Sequence, residues 1–297
     1  MNGLLVIDKP GGMTSRDGVN RVQRWFPRKT KIGHTGTLDP LATGVLVVCV
    51  GAATRLADFV QAMGKSYRSR FRLGATSDTD DADGTVTPDP AAVPPTRGQI
   101  DAAIPAFLGS VEQVPPAFSA LKVAGRRAHD MARRGEDVAL AARTVRIDAI
   151  RVLAYGWPFL DVGIDCGKGT YIRSIARDLG ARLGCGGMVE TLRRTRVGPF
   201  TAEQGIGLDV SPEEARAKLL PMSAAVAGLP QVRFAPDDVK RFRNGQSVRI
   251  TPASGGRQPP ECTTVAVLDD TGELVGIGAA ARGVVKPQTV FPANGPA

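Results

Sequence analysis

The sequence predicts a mixed α/β (α+β) domain followed by a small, mostly β, second domain, and three observations lead there. Apolar or alternating runs that read as strands, such as "LLVID", "GVLVVCV" and "SYRSRFRLG", are interleaved with stretches of helical spacing, such as "TRLADFVQAM" and "GTYIRSIARDLG". From about Leu229 the texture changes to short β-type segments. The 297 residues, 42% of them apolar, suffice for one large domain with a small companion, divided here as 1–228 and 229–297.

The elements follow in order. "LLVID" runs into a turn, "KPGGMTS", where Thr14 and Asp17 form a capping-box signal for a helix carrying Val19, Val22 and Trp25. A glycine-rich loop precedes the buried strand "GVLVVCV". Leu56, Phe59, Val60 and Met63 then have helical spacing, and "SYRSRFRLG" sets Tyr67, Ser69, Phe71 and Leu73 against three arginines, as a half-buried strand does. "SDTDDADGTVTPDPAAVPP" reads as a solvated acidic connection. A calcium loop is excluded, because an Asp83-Gly84 step would place its first ligand on Thr79 and its twelfth on Pro90. Residues 121–134 carry five basic side chains and one acid. "TVRIDAIRVL" and "FLDVGIDC" read as strands, and Ile172, Ile175, Ala176 and Leu179 define the inner face of a helix. "CGKGT" is not a phosphate loop, since the required first glycine is Val162. Beyond Leu229, "LPQVRF", "SVRIT", "TTVAVLDDTGELVGIGA" and "KPQTVF" are β-type, with Asp270-Thr271-Gly272 as a hairpin turn.

Thirty-eight Lys and Arg against 29 Asp and Glu leave a net charge of +9, which favours a polyanionic partner. Four scattered cysteines without a C-x-x-C pair, and only His34 and His129, offer neither a zinc site nor a disulfide framework. No apolar stretch approaches bilayer length and the N-terminal apolar run is too short for a signal peptide, so a cytoplasmic protein with no membrane partner is expected.

The candidate chemistry centres on "IGHTGTLDPLATGVLVVCVG", residues 32–51, which sets one carboxylate, Asp39, on a glycine-flanked loop at the mouth of a strand. Singly, each polar residue here has an ordinary structural reading. Asp-Pro starts turns, Tyr67 on an alternating strand packs in a core, and Arg173 with Arg177 makes a basic helix face. Jointly they do not. "IDKPGGMTS", "GHTGTLDPLATGVL", "KSYRSRFRLG", "PPAFSALKVAGRRAHDMARRG", "GTYIRSIARDLG" and "LRRTRVGPF" occur in one order, and the chain closely resembles the TruB family of bacterial tRNA pseudouridine synthases, which act on uridine 55 of the T loop. The resemblance spans nearly the whole chain and is strongest from Leu5 to Phe200.

The resemblance implies a catalytic domain on a mixed, largely antiparallel sheet and a PUA-like RNA-binding domain at the C-terminus. It implies a thumb-like insertion at about 117–143, in which His129 stands where the family commonly has Tyr. Asp39 is then the catalytic carboxylate, and the sequence leaves open whether it attacks ribose, attacks the base or removes a ribose proton. Tyr67 stacks on the target uracil, Tyr171 and Leu192 line its pocket, and His34 helps hold the opened T loop. Arg173 is the candidate partner of Asp39, since guanidinium binds carboxylate as a fork and favours its charged form. Lys9 and Pro10 support the catalytic loop. The implied partner is tRNA through its T-stem loop, with no cofactor, no metal and a monomeric enzyme.

Two rivals remain. A tRNA-binding or tRNA-folding protein without chemistry needs neither Asp39 nor Tyr67, yet both are present. A nucleoside or glycoside hydrolase needs a second carboxylate near the first, and the motif loops show no matched acid.

Overall fold

A computed structural model describes residues 1–119, 121–123, 126–127, 131, 134, 140–251 and 260–293, with the backbone alone at 122–123 and 126–127. Strands Gly3–Lys9 and Thr43–Val50 pair antiparallel, with Leu5 opposite Val48 and Ile7 opposite Leu46. Both are apolar at successive positions because both faces are covered. Leu5, Ile7, Leu46 and Val48 enter one core with Tyr67, Phe71 and Ile175. Leu4, Val6, Val45 and Val47 enter a second core with Ala266, Leu268, Leu274, Ile277 and Phe291.

These strands begin a nine-stranded sheet whose main path continues through Gly187–Val197, Lys65–Leu73, Phe159–Cys166, Arg143–Gly156 and Gly109–Gln113. Its pairings are antiparallel except for the short parallel contact of Arg193 and Arg194 with Thr43 and Gly44. The fold is therefore α/β with a mixed, largely antiparallel sheet. Strand Lys65–Leu73 buries Lys65, Tyr67, Ser69, Phe71 and Leu73 on one face, as its alternation demands. Helix Ile172–Arg182 packs Ile175, Ala176 and Leu179 onto the sheet and starts at Tyr171.

Five strands of a second sheet lie beyond residue 230, ordered Gln231–Arg233, Thr263–Leu268, Leu274–Ala281, Val284–Val290 and Val248–Arg249. The turn at residues 269–273 closes on the Asp269 carboxylate, which accepts from the Thr271 and Glu273 amides, while Gly272 takes a φ of 86°.

Three sequence expectations change. The helix expected from Thr54 starts at Ala57, because the Thr54 hydroxyl bonds back to the Gly51 carbonyl and closes a tighter turn over Gly51–Leu56. A helix at Pro236–Arg243 was not expected among the β segments. Pro at its start, Asp237 and Asp238 in its first turn and three cations in its last suit the helix dipole, and Val239 and Phe242 anchor it. The acidic connection is not simply solvated. Asp81 is 3% exposed, and the segment folds against the sheet through hydrogen bonds between Asp80 or Ala82 and Val189.

Candidate active site

Asp39 sits on a loop braced from every side. The buried Ser15 hydroxyl accepts from the Leu38 amide at 2.7 Å and donates to the Leu38 carbonyl at 3.0 Å. The Asp83 carboxylate accepts from the Leu41 amide at 3.0 Å. Beneath the loop, the fully buried Lys9 ammonium donates to the carbonyls of Pro10 and Met13, both at 2.8 Å, and Pro40 at 3.4 Å. Burial drives Lys9 down to about 8, opposed mainly by the nearby Asp39 charge. Arg194, 2% exposed, donates to the carbonyls of Gly36, Thr37 and Val45. Of the three glycines flanking Asp39, Gly44 is the one with a left-handed φ, 97°. A Cβ there would lie 2.1 Å from the Arg194 carbonyl oxygen, so strands 43–50 and 187–197 meet only over glycine.

Helix Ile172–Arg182 delivers Arg173 to this loop. Its Nη2 donates to Asp39 Oδ1 at 3.1 Å, and its Nε lies 3.0 Å from Asp39 Oδ2. The first contact is a well-directed hydrogen bond; the second is an ion contact off the N–H axis. Arg173 is 4% exposed and Asp39 29%, so the pair presents its carboxylate outward over a buried cation. The same guanidinium donates to Thr79 and Phe118 carbonyls and lies 3.5 Å from Asp81. Burial holds the Asp80 and Asp81 carboxyls above the usual range, against Arg177 beside Asp80 and against the Thr79 hydroxyl and Arg173 beside Asp81. Gln113 fixes the start of the helix, its amide bonding both the carbonyl and the N–H of Tyr171.

Two cavities meet at Asp39. One, of about 490 Å³, is lined by Tyr67, Tyr171, Leu192, Lys65, Arg194 and Asp39. Arg143 stacks over the Tyr171 ring at 4.7 Å along its wall and bonds the Gly169 carbonyl. Burial raises the Tyr67 hydroxyl, with Arg194 pulling the other way, and drives Lys65 down to about 8. The other cavity, of about 890 Å³, is lined by His34, Arg16, Arg173, Asp81, Asp83 and Asp39. His34 is lowered chiefly by burial, and its Nδ1 lacks a hydrogen-bond partner among the described residues.

The structure thus gathers Asp39, Tyr67, Tyr171 and Leu192 around one cavity and places His34 and Arg173 on its neighbour, with Lys9 underneath and Pro10 exposed. His129, and Arg133 among the five basic side chains of residues 121–134, lie outside the described residues. Sequence reasoning missed Asp80, Asp81, Gln113, Lys65 and Arg194. The acids had one available signal: Arg173 and Arg177, one turn apart on a packed helix, require acidic partners, and residues 78–83 supply them. Arg193 is not a bare cation either, since it grips Asp8 through two hydrogen bonds of 2.9 and 2.8 Å.

Comparison with known proteins identifies the lineage. Residues 24–172 match the N-terminal domain of TruB family pseudouridylate synthase, residues 173–227 the C-terminal domain of tRNA pseudouridylate synthase B, and residues 230–291 the C-terminal part of pseudouridine synthase II TruB. The chain is 43% identical to tRNA pseudouridine synthase B of Mycobacterium sp. (strain KMS), covering 90% of this chain and 92% of that one. It is 42% identical to the protein of that name from Cereibacter sphaeroides, covering 98% and 96%. Its backbone is similar to a crystal structure of a Cbf5–Nop10–Gar1 complex, with a TM-score of 0.74 and 27% identity over 98% of this chain and 85% of that one. A structure of an H/ACA RNP bound to a substrate RNA containing 2'-deoxyuridine gives a TM-score of 0.74 at 25% identity, over 98% and 86%. With matches from residue 24 to residue 291 and relatives above 40% identity along nearly its length, the chain belongs to the TruB family of pseudouridylate synthases.

Proposed function

We propose that this pseudouridine synthase converts uridine 55 in the T loop of tRNA to pseudouridine, with Asp39 as its catalytic carboxylate. The observation that carries this reading is Asp39 itself, 29% exposed at the seam of two cavities and fixed by Arg173 at 3.0 and 3.1 Å. A carboxylate must stay ionised to act, and a buried guanidinium offsets its partial desolvation. The target uridine leaves the base stack and enters the smaller cavity, where Tyr67 stacks on it and Tyr171 and Leu192 enclose it. The C1′–N1 bond breaks, the base turns, and C5 bonds to C1′. His34, in the larger cavity, holds the opened T loop.

In this reading residues 1–228 do the chemistry, and 229–297, PUA-like, add tRNA affinity. The insertion at about 117–143, which the family resemblance makes thumb-like, lies partly outside the described residues. The enzyme works as a cytoplasmic monomer with tRNA as its partner and needs no cofactor. The test is an unmodified tRNA transcript incubated with the protein, followed by pseudouridine-selective adduct formation and primer extension. A stop at the T-loop uridine is expected. Strong tRNA binding without a stop would leave a binding or folding protein instead.

A further inference from the structure

We infer that Arg194 is the cation that stabilises the detached base during the reaction, in addition to bracing the catalytic loop. This rests on the function proposed above. When C1′–N1 breaks, the bonding pair leaves with N1. On the ribose routes C1′ then bonds an Asp39 oxygen, or C2′ gives its proton to Asp39 and a C1′–C2′ double bond forms. Either way the free uracil carries a negative charge spread over N1, O2 and O4. C5 next bonds to C1′ while the Asp39 bond breaks or C2′ regains its proton. C5 then loses its proton and N1 gains one, so the sum is an isomerisation. Between the two steps an anion occupies the cavity, where a cation already fixed in place stabilises it without reorganisation.

Four cations line that cavity: Lys65, Arg143, Lys168 and Arg194. Lys168 is exposed, and Arg143 is stacked on Tyr171. Lys65 is buried with its ammonium held by the Gln61 and Met63 carbonyls, and burial drives it down to about 8, which makes its charge the less secure of the two buried cations. A guanidinium, by its chemistry, is a permanent cation. It stands opposite Tyr67 in the strand register, beside the residue assigned to stack on the base. Arg173 is already matched by Asp39 and Asp81, whereas Arg194 forms no ion pair among the described residues. Its three carbonyl partners satisfy hydrogen bonds and leave the net charge. A buried cation without an anion is destabilising, and the transient uracil anion is the counter-charge that this cavity receives.

The test separates charge from bracing through the leaving group. Fluorine at C5 withdraws electrons from the ring, so 5-fluorouracil departs as an anion with less help. Single-turnover disappearance of the target nucleoside is measured at saturating enzyme on tRNA transcripts carrying uridine or 5-fluorouridine. The enzymes are wild type, Arg194→Met, Arg194→Gln and Arg194→Lys, each checked by thermal melting. The neutral variants are expected to lose about 100-fold or more on uridine, as when an electrostatic stabiliser is removed, and at least about tenfold less on 5-fluorouridine. Arg194→Lys keeps the wild-type ratio between the two substrates even where loop distortion slows both. Equal losses on both substrates in a folded neutral variant overturn the inference and leave Arg194 a loop brace. Should neither neutral variant fold, Arg194→His decides, since its charge can be switched by pH: its ratio between the two substrates, taken relative to wild type at each pH, shifts toward 5-fluorouridine as the imidazole loses its proton, and a relative ratio constant across pH overturns the inference. A wild type inactive on the uridine transcript overturns the proposed function and the inference with it.

Discussion

The two cavities that meet at Asp39 are built from opposite materials. The smaller one has aromatic and apolar walls, Tyr67, Tyr171 and Leu192, and the buried cations Lys65 and Arg194. The larger is walled by Asp78, Asp81 and Asp83, with Arg173 set among them. The difference assigns the work. On the proposed function, the acidic side fixes the Asp39 carboxylate by surrounding its guanidinium partner with acceptors, and the aromatic side receives the flat target base. Asp39 belongs to both linings, so one residue links positioning to chemistry.

The sharpest way to break this comparison is to remove the carboxylate that both cavities share. Asp39→Asn keeps size and some hydrogen bonding but cannot act as a carboxylate, and it is expected to abolish product while leaving tRNA affinity nearly intact. Mass spectrometry must first exclude deamidation back to the acid. Wild-type turnover in such a preparation would take Asp39 out of the mechanism.

A change confined to the acidic side should act through geometry. Asp81→Asn removes the second carboxylate from Arg173 while retaining an amide of the same shape. Since misplacing a reacting group by about 1 Å costs on the order of 100-fold, single-turnover rates are expected to fall by roughly 10- to 100-fold at unchanged tRNA affinity. An unchanged rate would show that Arg173 needs only Asp39 and the Thr79 and Phe118 carbonyls to hold its aim.

The smallest effect tests the cationic side through stability. Lys65 is at about 8 in the fold against 10.5 unfolded, so between those values the unfolded chain binds more protons. Stability from this residue therefore rises as pH climbs from about 8 to about 10.5. Denaturant unfolding of wild type and Lys65→Met should show their difference moving in favour of wild type across that window, by at least about 1 kcal/mol. A constant difference would mean that the Lys65 ammonium is not desolvated.

How much of this was legible depended on whether the determinants are contiguous. The Asp39 loop, Tyr67 and the helix bearing Arg173 lie in local motifs, so the sequence announces them together. Asp81 does not announce itself, because an acidic, proline-rich stretch has the composition of a solvated loop. Only the burial of Arg173, far along the chain, makes it an interior residue. "TLRRTR" hides a different fact. Arg193 faces Asp8 and Arg194 faces the cavity, and register shifts at 189–191 and 194–196 break the simple alternation that would have assigned each side. The strands 3–9 and 43–50 were visible as apolar runs, but their second covering, the C-terminal sheet, is a tertiary contact no local pattern encodes.

The most direct test of the account is the single-turnover rate of Arg173→Lys at saturating enzyme, measured across pH beside wild type. Lysine preserves the positive charge and loses the planar donors that contact both oxygens of Asp39 at 3.0 and 3.1 Å. If the acidic side exists to aim that carboxylate, the variant binds tRNA almost as wild type does and reacts on the order of 100-fold more slowly at every pH. A lysine variant that matches wild type throughout would contradict the account and reduce Arg173 to a source of positive potential.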